Sequence, residues 1–135
     1  AHHVLDHTDG GYRDAITRLT GGRGPDVIIE MLANVNLAHD LALVAPRGRI
    51  VVVGSRGPLE INPRALMGKD STITGMTLFN LTAAEWRQVA AGVAGALGSG
   101  ALAPVVGREL PLADAAEAHA LVMAPGATGK ITLVV

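Results

Sequence analysis

At four places along the chain, small, polar or hydrogen-bonding residues recur where a short apolar run ends. They are Asp6 with His7, then Glu30 with Asn34 and Asn36, then Gly54 to Arg56, and finally Met76 to Leu78. A serine hydroxyl and an arginine guanidinium can bind a phosphate, a ribose or a carboxamide, and a glycine lets a ligand approach the backbone closely. The same residue types occur in ordinary surface loops, so the pattern indicates either a small-molecule site or simple loop polarity.

The elements that must position these residues alternate between strand and helix. Continuous apolar runs predict strands at residues 3–6, 26–30, 49–53, 71–78, 104–110 and 130–135. Helical spacing predicts helices between them, at residues 12–19, 37–44, 82–97 and 111–122, and Thr82 with Glu85 has the spacing of a capping box. This alternation predicts an α/β fold with a doubly wound parallel sheet, in which ligands bind outside the carboxyl ends of the strands.

Composition and charge argue against several classes of protein. The chain has 135 residues, which is one domain or a large piece of one, and its core must be aliphatic because it has one Phe, one Tyr and one Trp. A net charge of −1, with the 11 Lys and Arg spread along the chain, does not favour nucleic-acid or membrane-surface binding. There is no cysteine for a disulfide or a thiolate metal site, and no apolar run approaches the roughly 20 residues of a membrane span. We therefore expect a cytoplasmic protein.

Three motifs that suggest other chemistry do not meet its geometry. His3 and His7 lie four positions apart, which on a strand separates their Cα atoms by about 13 Å, too far for one metal ion. Residues 54–57 lack the Gly-x-Ser-x-Gly spacing of a hydrolase. Residues 126–130 would be a phosphate loop only with a glycine in place of Ala124 and a Ser or Thr in place of Ile131. Neither a metal site nor a serine nucleophile is predicted.

Longer stretches resemble one family. They are Glu30 to Leu37, Gly48 to Gly57, Ile61 to Arg64, Ile73 to Phe79, Ala118 with His119, and Gly126 to Lys130. Over essentially its whole length, the chain resembles the C-terminal part of a medium-chain dehydrogenase/reductase. The resemblance is to the zeta-crystallin-like NADPH:quinone oxidoreductases, the zinc-free branch of the zinc-binding dehydrogenase family.

The resemblance implies a cofactor site and a reaction. The family's NADPH contacts fall on His7, Asn36, Val53, Gly54, Ser55, Arg56, Met76, Thr77 and Leu78. The implied reaction is transfer of a hydride, or of single electrons, from NADPH to a quinone or conjugated carbonyl compound (an enone), without flavin or zinc. The alternative is a non-catalytic module, crystallin-like or RNA-binding, although few aromatic residues and a near-neutral charge argue against RNA. The catalytic proton donor stays unassigned, because the family's substrate cleft lies between two domains.

The resemblance also implies missing parts and a partner. The chain has no initiator Met and starts in an apparent strand, so we expect truncation rather than N-terminal processing. Residues 1–103 are then a partial Rossmann-type NADP-binding domain that lacks the early strands and the glycine-rich turn, and residues 104–135 return towards an absent catalytic domain. We expect the parent enzyme to be active and this part alone to be inactive. Related dehydrogenases pair their last strand across a two-fold axis, which implies a homodimer through the strand from Ser71 to Leu78.

Overall fold

A computed structural model describes residues 1–124, 126 and 128–135 of the chain. It divides into two compact units, Ala1–Asn80 and Leu81–Val135. Residue 127, inside the glycine-rich motif at 126–130, lies outside the described residues. The domain boundary after residue 103 stays a prediction.

The first unit is a three-stranded parallel sheet whose strands follow one another in the order β1-β2-β3. Its elements are α1 (Tyr12–Leu19), β1 (Val27–Glu30), α2 (Ala33–Leu43), β2 (Arg49–Val52), α3 (Arg64–Met67), β3 (Thr72–Gly75) and a short 3-10 helix (Leu78–Asn80). Parallel neighbours need a crossover, which α2 supplies between β1 and β2. The prediction of a parallel α/β fold is confirmed.

The core of this unit lies between α2 and the sheet. Leu37, Leu41 and Val44 are spaced by four and three residues, which brings them to one face of a helix. Leu41 and Val44 are buried together with Ile50 of β2. Burying one such side chain stabilises the fold by roughly 1.5–3 kcal/mol, so this contact fixes α2 on the sheet.

Two predicted strands differ from the structure. Residues 3–6 form no strand, because no neighbouring strand in the described chain pairs with their backbone. The strand predicted at 71–78 is limited to Thr72–Gly75. Gly75 pairs with Val52, which is the final residue of β2. The hydrogen bond from Met76 N to Val52 O, at 3.0 Å, is the last one between this segment and β2. Residues 76–78 therefore lie beyond the strand.

The second unit contains α4 (Ala83–Gly98), β4 (Val106–Pro111), a 3-10 helix (Leu112–Asp114), α5 (Ala115–Met123) and β5 (Lys130–Val134). Strands β4 and β5 pair in parallel. The capping box is confirmed, since Thr82 N donates to Glu85 Oε2 at 2.8 Å and Glu85 N donates to Thr82 Oγ1 at 3.3 Å. Pro111 ends β4 with an extended backbone and is the N-cap of the 3-10 helix, so the α-helix predicted from residue 111 begins only at Ala115. Within the described residues, no helix has both the length and the apolar character needed to cross a membrane.

Candidate functional site

The three strands of the first unit end at one edge of the sheet. Glu30 pairs with Val52, and Val52 pairs with Gly75, so the chain leaves β1, β2 and β3 in register. The residues that follow these ends are the candidates from the sequence: Asn36 in the first turn of α2, then Val53, Gly54, Ser55 and Arg56, then Met76, Thr77 and Leu78. The carboxyl edge of a parallel sheet is where ligands bind in such folds.

Backbone hydrogen bonds tie the loop after β2 to the loop after β1. Val53 N and Gly54 N both donate to Glu30 O, at 2.8 and 3.3 Å, and Ala33 N donates to Gly54 O at 2.9 Å. A Cβ at position 54 would lie 2.3 Å from Met31 O, which is far inside van der Waals contact. Only glycine lets the two loops approach this closely.

The loop at 54–57 is held further by side chains. Arg56 N donates to Asn34 Oδ1 at 2.9 Å, and Ser55 Oγ donates to Gly57 O at 3.0 Å. The Arg56 side chain is exposed and makes no ion pair or hydrogen bond with the described residues. Sequence reasoning selected Arg56, but it saw Asn34 only as a polar residue after a strand, because its partner comes from a loop 22 residues later.

Asn36 is oriented by the carboxylate of Glu30. Glu30 Oε1 accepts from Asn36 Nδ2 at 3.2 Å and also from the backbone N–H of Leu32. Glu30 is buried, with 5% of its surface exposed, whereas Asn36 is half-buried. Glu30 therefore both ends the strand and fixes the amide of a candidate site residue.

Asp40, one helical turn after Asn36 on α2, is a second buried carboxyl. Burial raises the pKa of Asp40 to about 7, assisted by a hydrogen bond to Glu30 and by repulsion from its charge. Sequence reasoning missed Asp40. The sequence does contain a signal for it. Asp40 is an acidic residue between Leu37 and Val44, on the face of α2 that the aliphatic spacing assigns to the core.

His7 belongs to an open cleft on the α1 side of this region. The cleft has a volume of about 390 Å³, and its polar walls are His7, Tyr12, Glu30, Asn36 and Asp40. The structure thus brings two sequence candidates, His7 and Asn36, to one cleft. The candidates at 53–56 and 76–78 lie at the sheet edge and do not line it.

Comparison with known proteins identifies the family. A family model described as "Zinc-binding dehydrogenase" matches residues 1–133. The chain belongs to this family. Quinone oxidoreductase of Homo sapiens is 49% identical over 134 residues, which is 98% of this chain and 41% of that protein. Quinone oxidoreductase of Rattus norvegicus is 45% identical with the same coverage. The chain spans about two fifths of the length of the curated relatives it matches, and the predicted resemblance is confirmed.

Solved structures of other proteins share the fold. A mycobacterial protein complexed with NADPH superposes with a TM-score of 0.82 at 29% identity, covering 98% of this chain and 43% of that one. A quinone oxidoreductase of Pseudomonas syringae pv. Tomato superposes with a TM-score of 0.82 at 28% identity, covering 97% of this chain and 42% of that one. The prediction of a partial Rossmann-type fold is confirmed.

The residues that the structure describes offer no set of ligands for zinc. The chain has no cysteine, and the described residues contain no group of three or more His, Asp or Glu that could hold a metal ion. Zinc sites need three or four such ligands at about 2 Å. No chemical step is therefore assigned to zinc.

Proposed function

We propose that this chain supplies the nicotinamide and ribose side of an NADPH site, in an enzyme that reduces a quinone or a conjugated carbonyl compound. The relatives named quinone oxidoreductase and the NADPH-bound neighbour support this function. The observation that carries it is the register of the three strand ends, with the Gly54–Arg56 loop bonded to the end of β1. Parallel α/β folds bind nucleotides at this edge.

The residues at the edge fit such a cofactor. The Arg56 guanidinium is exposed and has no ion-pair partner among the described residues, so it can bind an anionic or carbonyl oxygen of the cofactor. The Ser55 hydroxyl donates a hydrogen bond to Gly57 O, so the lone pairs of Ser55 Oγ remain available to accept hydrogen bonds. Met76 and Leu78, each nearly half-exposed, offer apolar surface to a ring. Bound NADPH would supply the hydride, and these side chains would bind and orient it.

Steady-state kinetics and NADPH-binding measurements on the full-length protein test this function. We expect NADPH oxidation with at least one para-quinone, ortho-quinone or enone, and saturable NADPH binding in calorimetry. Arg56→Ala removes a charge-assisted contact and should raise the KM for NADPH about tenfold. Arg87→Ala, which removes an exposed arginine of α4, is the matched control and should leave the KM unchanged. Neither oxidation nor binding would contradict the proposal, and binding without oxidation would favour a non-catalytic module.

The proposal includes a homodimer formed through β3. This strand is one edge of the three-stranded sheet. Thr72 N donates to Gly48 O, just before β2, and Met76 N donates to Val52 O, so strand alternation directs the N–H groups of Ile73 and Gly75 away from β2. A second copy of β3 would satisfy them. Light scattering at full length should give twice the monomer mass, and Gly75→Pro, which removes one outward N–H, should shift it towards monomer. A monomeric wild type at high concentration would contradict this part.

A cytoplasmic location completes the proposal. It is supported by the absence of cysteine from the chain and by the quinone oxidoreductase relatives. Cell fractionation of the full-length protein tests it, and enrichment in a membrane fraction would contradict it.

A further inference from the structure

The core of the first unit contains a pair of carboxyl groups with no cation beside it. Glu30 at the end of β1 and Asp40 in α2 are the buried charged residues among those described, with 5% and 8% of their surface exposed. The ion pairs of the described chain join Arg23 to Asp26 and Arg108 to Glu117, so neither involves the pair. Two adjacent buried carboxylates repel each other strongly, and such pairs share a proton.

The hydrogen bonds decide which partner holds that proton. Glu30 Oε1 accepts two N–H groups, from Leu32 and Asn36, and accepting donors stabilises the ionised form. Asp40 Oδ2 is buried, and no N–H or O–H group of the described residues donates to it. A proton on Asp40 gives it a donor for Glu30 and removes the repulsion. Burial and the neighbouring carboxylate raise the pKa of Asp40 to about 7, in agreement with this assignment.

The ionised Glu30 then fixes which end of Asn36 faces outwards. A carboxylate only accepts hydrogen bonds, so Asn36 must present its NH2 group to Glu30. Its carbonyl oxygen is left for a ligand. A carbonyl oxygen accepts, so the matching group on the ligand is a donor, such as a ribose hydroxyl or a carboxamide NH2.

We propose that Asp40, through Glu30, is a positioning residue that holds Asn36 as a hydrogen-bond acceptor for a donor group of the cofactor. This inference rests on the proposed NADPH function. It assigns to that function Asp40, which sequence reasoning missed, and gives the strand-end residue Glu30 a positioning role. Asp40 does not touch the cofactor in this scheme. It keeps Glu30 ionised and in place, and Glu30 keeps Asn36 in the binding orientation.

Other titratable or charged groups lie around Glu30 and Asp40, but none of those described forms an ion pair that would neutralise either carboxylate. Glu30 comes from β1, while His7 and Tyr12 line the same cleft from the α1 side. Arg13 of α1 is hydrogen-bonded to His39 at 2.9 Å and forms no ion pair with Asp40 among the described residues. On β2 and α3 the charged residues are Arg49 and Arg64, and neither forms an ion pair with Glu30 or Asp40.

The test compares Asp40→Asn, Asp40→Ala and the wild type at full length, with the Kd of NADPH measured by calorimetry from pH 6 to pH 8.5. In the wild type, ionisation of Asp40 should weaken binding about fivefold across this range, the value of one net hydrogen bond. Asp40→Asn keeps a permanent donor to Glu30, so its Kd should match the wild type at pH 6 and stay lower than the wild type at pH 8.5. The 2′-phosphate of NADPH also titrates near pH 6, but its effect cancels between the two proteins.

Asp40→Ala removes the donor, so its Kd should be about fivefold higher than that of Asp40→Asn at every pH and should approach that of the wild type at pH 8.5. In steady state the loss should appear in the KM for NADPH, with kcat at saturating NADPH unchanged, because the group acts on cofactor binding. If Asp40→Asn binds NADPH as tightly as the wild type does at pH 6 while Asp40→Ala does not, the loss comes from the missing hydrogen-bond donor and not from a change in packing. Glu60→Gln, at an exposed carboxyl, is the matched control and should leave the pH profile of the wild type intact.

The two proposals fail in different ways. If the wild type binds no NADPH at any pH, the proposed function fails. If the wild type binds NADPH but its pH profile is the same as that of Asp40→Asn, the positioning role of Asp40 is wrong and the proposed function stands. An unfolded Asp40→Ala variant does not prevent this decision, since the asparagine variant alone makes it.

Discussion

The loops after β1 and β2 leave the same sheet edge as the segment after β3, but they are held very differently. The first two are joined by backbone bonds between Glu30 and Gly54 and by the side chain of Asn34. After β3, the bonds within the segment join only residues two or three positions apart, at 3.3 Å from Asn80 N to Thr77 O and 3.5 Å from Phe79 N to Thr77 Oγ1, and Phe79 is 97% exposed. A preorganised surface loses less entropy on binding, so the first region should set affinity while the second adjusts to the ligand.

The strongest test of the preorganised region is Gly54→Ala. Its Cβ would lie 2.3 Å from Met31 O, so the two loops must separate. We expect a loss of roughly 2–4 kcal/mol in the free energy of unfolding, measured by urea denaturation, and weaker NADPH binding. Gly57→Ala is the control: its Cβ meets nothing within 4 Å, and the cost should stay within about 0.5 kcal/mol. Equal costs at the two positions would show that the loops are not closely joined.

The second test is the pH dependence of stability. The pKa of Asp40 rises from its ordinary value of 3.8 to about 7 on folding, so between these values the folded state binds more protons than the unfolded state. The free energy of unfolding should therefore fall as the pH rises from about 4 to above 7. The full shift corresponds to about 4 kcal/mol, and solvent screening in the open cleft that Asp40 lines reduces this to on the order of 2 kcal/mol. Urea denaturation at each pH measures it. Asp40→Asn should flatten this part of the curve, and an unchanged slope would contradict the shift.

The third test removes one side-chain hydrogen bond between the loops after β1 and β2. Asn34→Ala deprives Arg56 N of its acceptor, which should cost about 1 kcal/mol in the free energy of unfolding and weaken NADPH binding a few-fold. Asn62→Ala is the matched control, because Asn62 Oδ1 accepts from Arg64 N at 3.0 Å away from the strand ends. Thermal unfolding should show similar losses for both, and calorimetry should show weaker binding only for Asn34→Ala. Weaker binding in both variants would contradict a local role.

The smallest effect is expected in the segment after β3. Thr77→Ala loses only a 3.5 Å contact, so its unfolding free energy should change by less than about 0.5 kcal/mol. Differential scanning calorimetry measures it. A loss as large as that of Asn34→Ala would remove the contrast between the two regions.

Local sequence patterns predicted much of the fold. The spacing of Leu37, Leu41 and Val44 predicted a helix on the sheet, and Thr82 with Glu85 predicted the start of α4. These signals are local, because helix periodicity and capping depend on neighbours within about one turn. The strand at 71–78 was predicted too long, because its length depends on where β2 ends.

The sequence by itself determined the alternation of strands and helices, the family, and which polar residues follow each strand. Only the tertiary structure decided which of those residues meet. Asn34 reaches a loop 22 residues later, and Glu30 and Asp40 became a buried pair because α2 packs on the sheet. The physical reason is that hydrogen-bond partners and desolvation depend on distances in space, which residue types and their spacing along one chain do not specify.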